Sequence, residues 1–170
     1  EYIFFWHQKN YSFLSYAWNL EIASKRLINL IYYFDVYDQN LNKDKIKMLN
    51  KLIFKHYSFL KFNIKNKKES NFTLNTSKAY LILDFMLKNE TRKITNIIIK
   101  QVKVLVDANG FHKSYNPAKQ AEFINDLIEI KNIYLYFGKK EFKEIDFQIL
   151  NMSSLLSNFY HKDNSLALFN

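Results

Sequence analysis

The chain has no cysteine, one proline and two glycines in 170 residues. Without cysteine, disulfides and thiolate metal sites are excluded, while either redox compartment stays open. The scarcity of glycine and proline removes the usual breakers, so long continuous helices are expected. No apolar run is long enough for a membrane span. There is no glycine-rich phosphate loop, no HExxH and no paired metal-ligand spacing, so no cofactor or metal is implied. No strand-period stretch long enough to build a sheet is present. The length suits one domain with a sizeable core, and no low-complexity linker marks a boundary.

The chain is rich in aromatics, at 18% of residues, and in cations, with a net charge of +9. A basic surface favours polyanionic partners: nucleic acid, acidic lipid or acidic polysaccharide. The abundance of Lys, Asn, Ile, Phe and Tyr fits the drift of AT-rich coding sequence equally well. A nucleic-acid binder is disfavoured because lysine is spread along the chain, with only a small cluster at Lys65, Lys67 and Lys68.

Periodicity predicts six helices. Residues 1 to 16 show no clean period. Leu20, Ala23, Leu27, Leu30 and Phe34 share one face of a helix over 18–37, with Lys25 and Arg26 off that stripe. Ile46, Leu49, Ile53, His56 and Leu60 mark a second helix, 43–62, followed by a polar connection at 64–70. Asn75 or Thr76 is the expected cap of a third, with Ala79, Ile82, Leu83 and Met86 inward. Asn89 is the expected cap of a fourth, with Ile94, Ile98, Val102 and Leu105 inward. Phe123, Leu127, Ile130, Tyr134 and Phe137 define a fifth, closed by Gly138. Ile145, Ile149, Met152, Leu156 and Phe159 define a sixth, and 165–169 reads as a short extended piece. Short connections predict antiparallel hairpins, which serve bundles and solenoids alike.

The chain is organised around the break between the fourth and fifth helices. Asn109 and Gly110 stop one helix, and Asn116 and Pro117 start the next as cap and first residue. The loop holds His112, Lys113, Ser114 and Tyr115, and a short polar loop between buried helices is where a scaffold displays chemistry. The other histidines carry less. His56 sits on an apolar stripe as a packed core residue, His161 suits a helix C-terminus, and His7 lies in an unpatterned region.

Three segments resemble, in order, the heparinase II/III-like polysaccharide lyases. NGFHKSYNP (109–117) is similar to the DGGHxSRNP loop of one bacterial branch, with Asn109, Gly110, His112, Ser114, Asn116 and Pro117 in comparable places. HKDNSLALFN (161–170) is similar to that branch's HGDGxLALFNG, and WNLEIASKRLINLI (18–31) to the family's W…SxRLxNWI helix. The resemblance implies an all-α fold, helical hairpins forming part of an (α/α) toroid as one incomplete domain over 1–170. It implies β-elimination on a uronate-containing polysaccharide such as a glycosaminoglycan, and a periplasmic or cell-surface location. The chain begins with Glu and stops inside the last motif, so it reads as a fragment without the family's β-sandwich.

Such a reaction needs donors for the sugar carboxylate as it becomes enolate-like, a base for the adjacent proton and an acid for the leaving oxygen. The resemblance places His112, Tyr115 and Asn71 in the catalytic set. Asn116, Lys113, Lys119 and Arg26 form the substrate-binding set. Asn116 is equally suited to a purely structural capping role, and Tyr115 and His112 to packing. The chain also departs from better-known members. Their Tyr and His after the loop are replaced by Lys119 and Gln120, and their Asn-His pair by Asn71-Phe72. The set is therefore a variant one, is completed by another domain, or binds glycan without cleaving it.

Overall fold

The computed structural model describes residues 2–10, 12–13, 15–37, 41–66, 72–88, 90–138, 142–163 and 165–167. The protein is all-α, with seven α-helices and no named strand among the described residues. They are α1 (Tyr2–Lys9), α2 (Leu20–Tyr37), α3 (Lys43–Asn66), α4 (Leu74–Met86), α5 (Arg92–Leu105), α6 (Pro117–Tyr136) and α7 (Lys143–Leu156). Single 3-10 turns occupy Tyr16–Trp18 and Ser157–Phe159. None of the described helices is long and apolar enough to cross a membrane. The chain divides into two compact units, Glu1–Ile94 and Thr95–Asn170.

In the first unit α2 packs on α3 and α4. Ala23, Leu27 and Leu30 of α2 are buried, as are Leu49, Leu52 and Leu60 of α3 and Ala79, Leu81 and Leu83 of α4. Small side chains let α2 and α4 approach: the Ser24 hydroxyl lies 3.3 Å from Thr76 Oγ1 and donates to Leu20 O at 2.7 Å. Glu21 ties the two helix starts together, accepting from Thr73 and from Asn75 Nδ2 and pairing with Lys25. Burial pushes the Glu21 carboxyl up, but these donors outweigh it and hold it below the usual range.

His56 is fully buried, as its stripe position predicts. Its Nε2 accepts from Arg26 Nε at 2.9 Å and its Nδ1 lies 2.8 Å from Leu52 O. A guanidinium only donates, so Nε2 is the acceptor and Nδ1 carries the proton.

In the second unit α6 packs on α7. Leu127, Ile130, Ile145 and Met152 are buried at 0–1% exposure and form its centre. Tyr134 of α6 bonds Thr95 of α5, and Phe142 packs against Tyr134 with tilted rings and centroids 4.5 Å apart.

Several boundaries differ from those predicted by period. α1 lies in the unpatterned start, where Trp6 is held by a tertiary partner: Arg26 stacks over its ring at 3.9 Å. α3 runs on to Asn66 because Ile64, one turn beyond Leu60, stays buried. The cap of α4 is Thr73, whose extended backbone lets its hydroxyl accept from Thr76 N–H; Asn75 serves Glu21 instead. Met86 is not inward but 44% exposed, at the last turn of α4. α7 stops at Leu156, leaving Phe159 in the 3-10 turn. Gly138 follows α6 with φ +72°, the left-handed closure expected of it. Leu166, in the predicted extended piece, forms an isolated bridge with Tyr160, which lies before it. Asn71, Asn89, Lys67, Lys68 and 168–170 lie outside the described residues.

Candidate functional site

The loop between α5 and α6 is built by its own polar side chains. Asp107 Oδ1 accepts from the N–H groups of Asn109 and Phe111, both at 2.9 Å, and folds the Asn-Gly turn. Gly110 takes φ +91° within it. Val106 and His112 then pair as an isolated antiparallel bridge, and Lys113 N–H donates to Leu105 O at 2.8 Å. Gln120, 2% exposed, fastens the loop from below: its Oε1 accepts from His112 N–H and its Nε2 donates to Met152 O of α7 at 2.8 Å.

Asn116 is the N-cap of α6, with Oδ1 accepting from Ala118 and Lys119 N–H and Pro117 following at the first helical position. Its capping role is therefore realised. Asn116→Ala is expected to cost about 1 kcal/mol of stability while Asn116→Asp stays near wild type. Urea unfolding checks this; equal midpoints for Asn116→Ala and wild type would show that the cap contributes nothing.

His112 and Tyr115 leave one tight turn, in which Tyr115 N–H donates to His112 O at 2.8 Å. Ser114 N–H donates to His112 Nδ1 at 3.2 Å, and the Ser114 hydroxyl lies 2.8 Å from the same nitrogen. A backbone N–H only donates, so Nδ1 is the acceptor and the neutral ring carries its proton on Nε2. Nε2 has no protein partner among the described residues. The ring packs against Phe123 with centroids 5.3 Å apart. Burial, and then the charge of Lys119, hold the imidazole below its ordinary pKa of 6.5.

Tyr115 is 66% exposed and sits at φ +50°, a left-handed conformation that is costly for a bulky residue. Its hydroxyl donates to Asp107 Oδ2 at 3.2 Å. That bond, together with the Asp107 charge, raises the phenol above its ordinary pKa of 10.0. Backbone donors, Phe111 first, in turn hold Asp107 low. The loop thus presents one N–H without a protein partner among the described residues, His112 Nε2–H, beside a neutral Tyr115 phenol whose proton is donated to Asp107.

The remaining predicted residues are placed differently. Lys113 is exposed beside them. Lys119 pairs with Glu122 at 2.7 Å on the α6 surface. Arg26 belongs to the first unit, where it stacks on Trp6 and Trp18 and donates to His56 and Ala17 O. Burial lowers its guanidinium to about 10. Asn71 lies outside the described residues.

Asp107 and Gln120 were not predicted as site residues. The Asp-Ala-Asn-Gly order carries a local signal for Asp107, since an aspartate two residues before an N–H folds a turn. Gln120 has a weaker one, a polar residue one turn before Phe123 on the buried face. No family model matches the chain, and no curated protein or solved structure matches it.

Proposed function

We propose that the chain binds an acidic, uronate-containing polysaccharide at the 107–119 loop, as the helical part of a polysaccharide lyase of heparinase II/III type. The helices would then belong to an (α/α) toroid. The observation that carries the reading is the pair of neutral, protonated groups on one turn, the His112 imidazole and the Tyr115 phenol. The His112 Nε2–H suits a sugar carboxylate that becomes enolate-like as a base supplied from outside this loop takes the neighbouring proton. The Tyr115 phenol, kept protonated by Asp107, suits proton donation once its O–H turns from Asp107 to the departing glycosidic oxygen. Lys113 adds a cation for the polyanionic chain.

A second reading, glycan binding without cleavage, is favoured by a different observation. The one lone pair of neutral His112 is occupied by Ser114, and Tyr115 is held as the phenol, so neither offers a base. Incubation of the protein with uronate oligosaccharides separates the two. Unsaturated, ultraviolet-absorbing product supports the lyase; saturable binding without product supports the binding module. Neither product nor binding to any of a panel removes both.

The pH dependence follows from the shifts. Acidification protonates Nδ1 and breaks its bond from Ser114 N–H. The His112 pKa is lowered in the fold, so the unfolded chain takes up the proton first and stability falls as pH drops below 6.5. On the alkaline side, activity is expected to persist past pH 10.0 before Tyr115 ionises. Nitrogen NMR of the ring is the direct check: an Nε2–H tautomer titrating below 6.5 is expected, and an Nδ1–H tautomer would refute the assignment.

A further inference from the structure

α3 carries seven lysines (Lys43, Lys45, Lys47, Lys51, Lys55, Lys61 and Lys65) against one carboxylate, Asp44. Lys43, Lys45, Lys47 and Lys51 form no ion pair among the described residues. Lys43 and Lys45 occupy the first turn of the helix, where the macrodipole is positive and stability favours carboxylates. Positive charge is therefore reinforced there rather than neutralised.

The inward side of α3 is buried through Leu49, Leu52, His56 and Leu60. The opposite side carries Lys47, Lys51, Phe54, Ser58, Lys61 and Phe62, all exposed. Phe54 is 62% and Phe62 66% exposed, so two large rings stand among cations on an outward ridge. Eight residues separate them, about 12 Å along the helix. Lys43, Lys47 and Lys51 recur every four residues, about 6 Å apart, beside a shallow depression that also takes in Ile46, Asn50 and Phe54.

We propose that this face of α3 docks on the surface of an anionic phospholipid bilayer. Charge complementarity calls for an anionic partner, and the phenylalanines select among anions. A bilayer interface takes up apolar rings while lysine stems lie along it and their ammonium groups reach the lipid phosphates and carboxylates. An acidic polysaccharide or a nucleic acid backbone would engage the lysines, but Phe54 and Phe62 would stay largely in water. The attachment is peripheral and does not depend on the reading of the His112 loop.

Vesicle flotation of the full chain tests the proposal. The chain is expected to float with phosphatidylserine-containing vesicles, to stay behind with pure phosphatidylcholine, and to detach as salt is added. The double variant Lys47→Glu/Lys51→Glu is expected to bind roughly 25-fold more weakly or worse, at about fivefold per lysine. Phe54→Ser/Phe62→Ser is expected to lose roughly tenfold or more while keeping whatever heparin binding the wild type has. Far-ultraviolet circular dichroism establishes that each variant is folded. Failure of the wild type to float with the anionic vesicles overturns the proposal. So does wild-type flotation of either folded variant. Retention on heparin or RNA without vesicle binding would make a soluble polyanion the occupant instead.

Discussion

Tyr115→Phe is expected to lower production of unsaturated uronate product by roughly 10²–10⁴-fold, the usual contribution of a general acid. Oligosaccharide affinity should change little, because the ring remains and only the hydroxyl is lost. His112→Ala is expected to cost on the order of 10²–10³-fold, the range for removing one donor to a developing oxyanion. The two differ in a second readout. Removing His112 also removes the acceptor for Ser114 N–H and the ring packed on Phe123, so some stability falls with activity. Tyr115→Phe removes only the bond to Asp107, which is solvent-exposed. Absorbance assays on both folded variants decide the matter; wild-type turnover in either removes that residue's role. Asp107→Asn gives a third point, since a neutral partner should bring the phenol back toward its ordinary pKa and lower the alkaline limit of activity.

Gly110→Ala is expected to destabilise the protein by about 2–5 kcal/mol. Left-handed backbone costs an L-residue about 1–2 kcal/mol, and forced overpacking typically adds about 1–3 kcal/mol. The left-handed condition holds outright, and the crowding comes from the amide end of one side chain, so the cost falls toward the lower part of that range. The φ is +91°, and an added Cβ would stand 2.5 Å from Asn151 Nδ2 and 2.8 Å from its Cγ, on α7. Gly138→Ala is the internal control: its φ is +72°, but the added carbon meets nothing within 4 Å. That substitution should cost only the conformational part, about 1–2 kcal/mol. Urea unfolding at an unchanged m-value measures the difference directly. Equal losses at the two glycines would mean that the loop does not press on α7.

The residues themselves determined the helical class. With two glycines and one proline there was little to interrupt a helix, and the apolar spacing in α2, α3, α6 and α7 repeats at the period of one. The break before Pro117 was equally legible, because Asn116 and Pro117 specify a helix start by local chemistry alone. His56 on its stripe could be read as a core residue for the same reason.

What the sequence could not determine depended on partners far along the chain. α1 has no amphipathic pattern, and Trp6 gains its place through Arg26, twenty residues on. Arg26 read as a substrate-binding residue off the apolar stripe, yet the tertiary structure spends it on two tryptophans and a buried histidine. The choice of Thr73 over Asn75 as cap rested on backbone angles and on Glu21 in another helix. The same holds for the loop. Residue types marked His112 and Tyr115 as able to move protons, but which nitrogen of His112 holds its proton was decided by Ser114 N–H turning onto Nδ1. Whether Tyr115 ionises was decided by Asp107 folding back beneath it. Proton position is a property of hydrogen-bond geometry, and spacing along a chain does not encode that geometry.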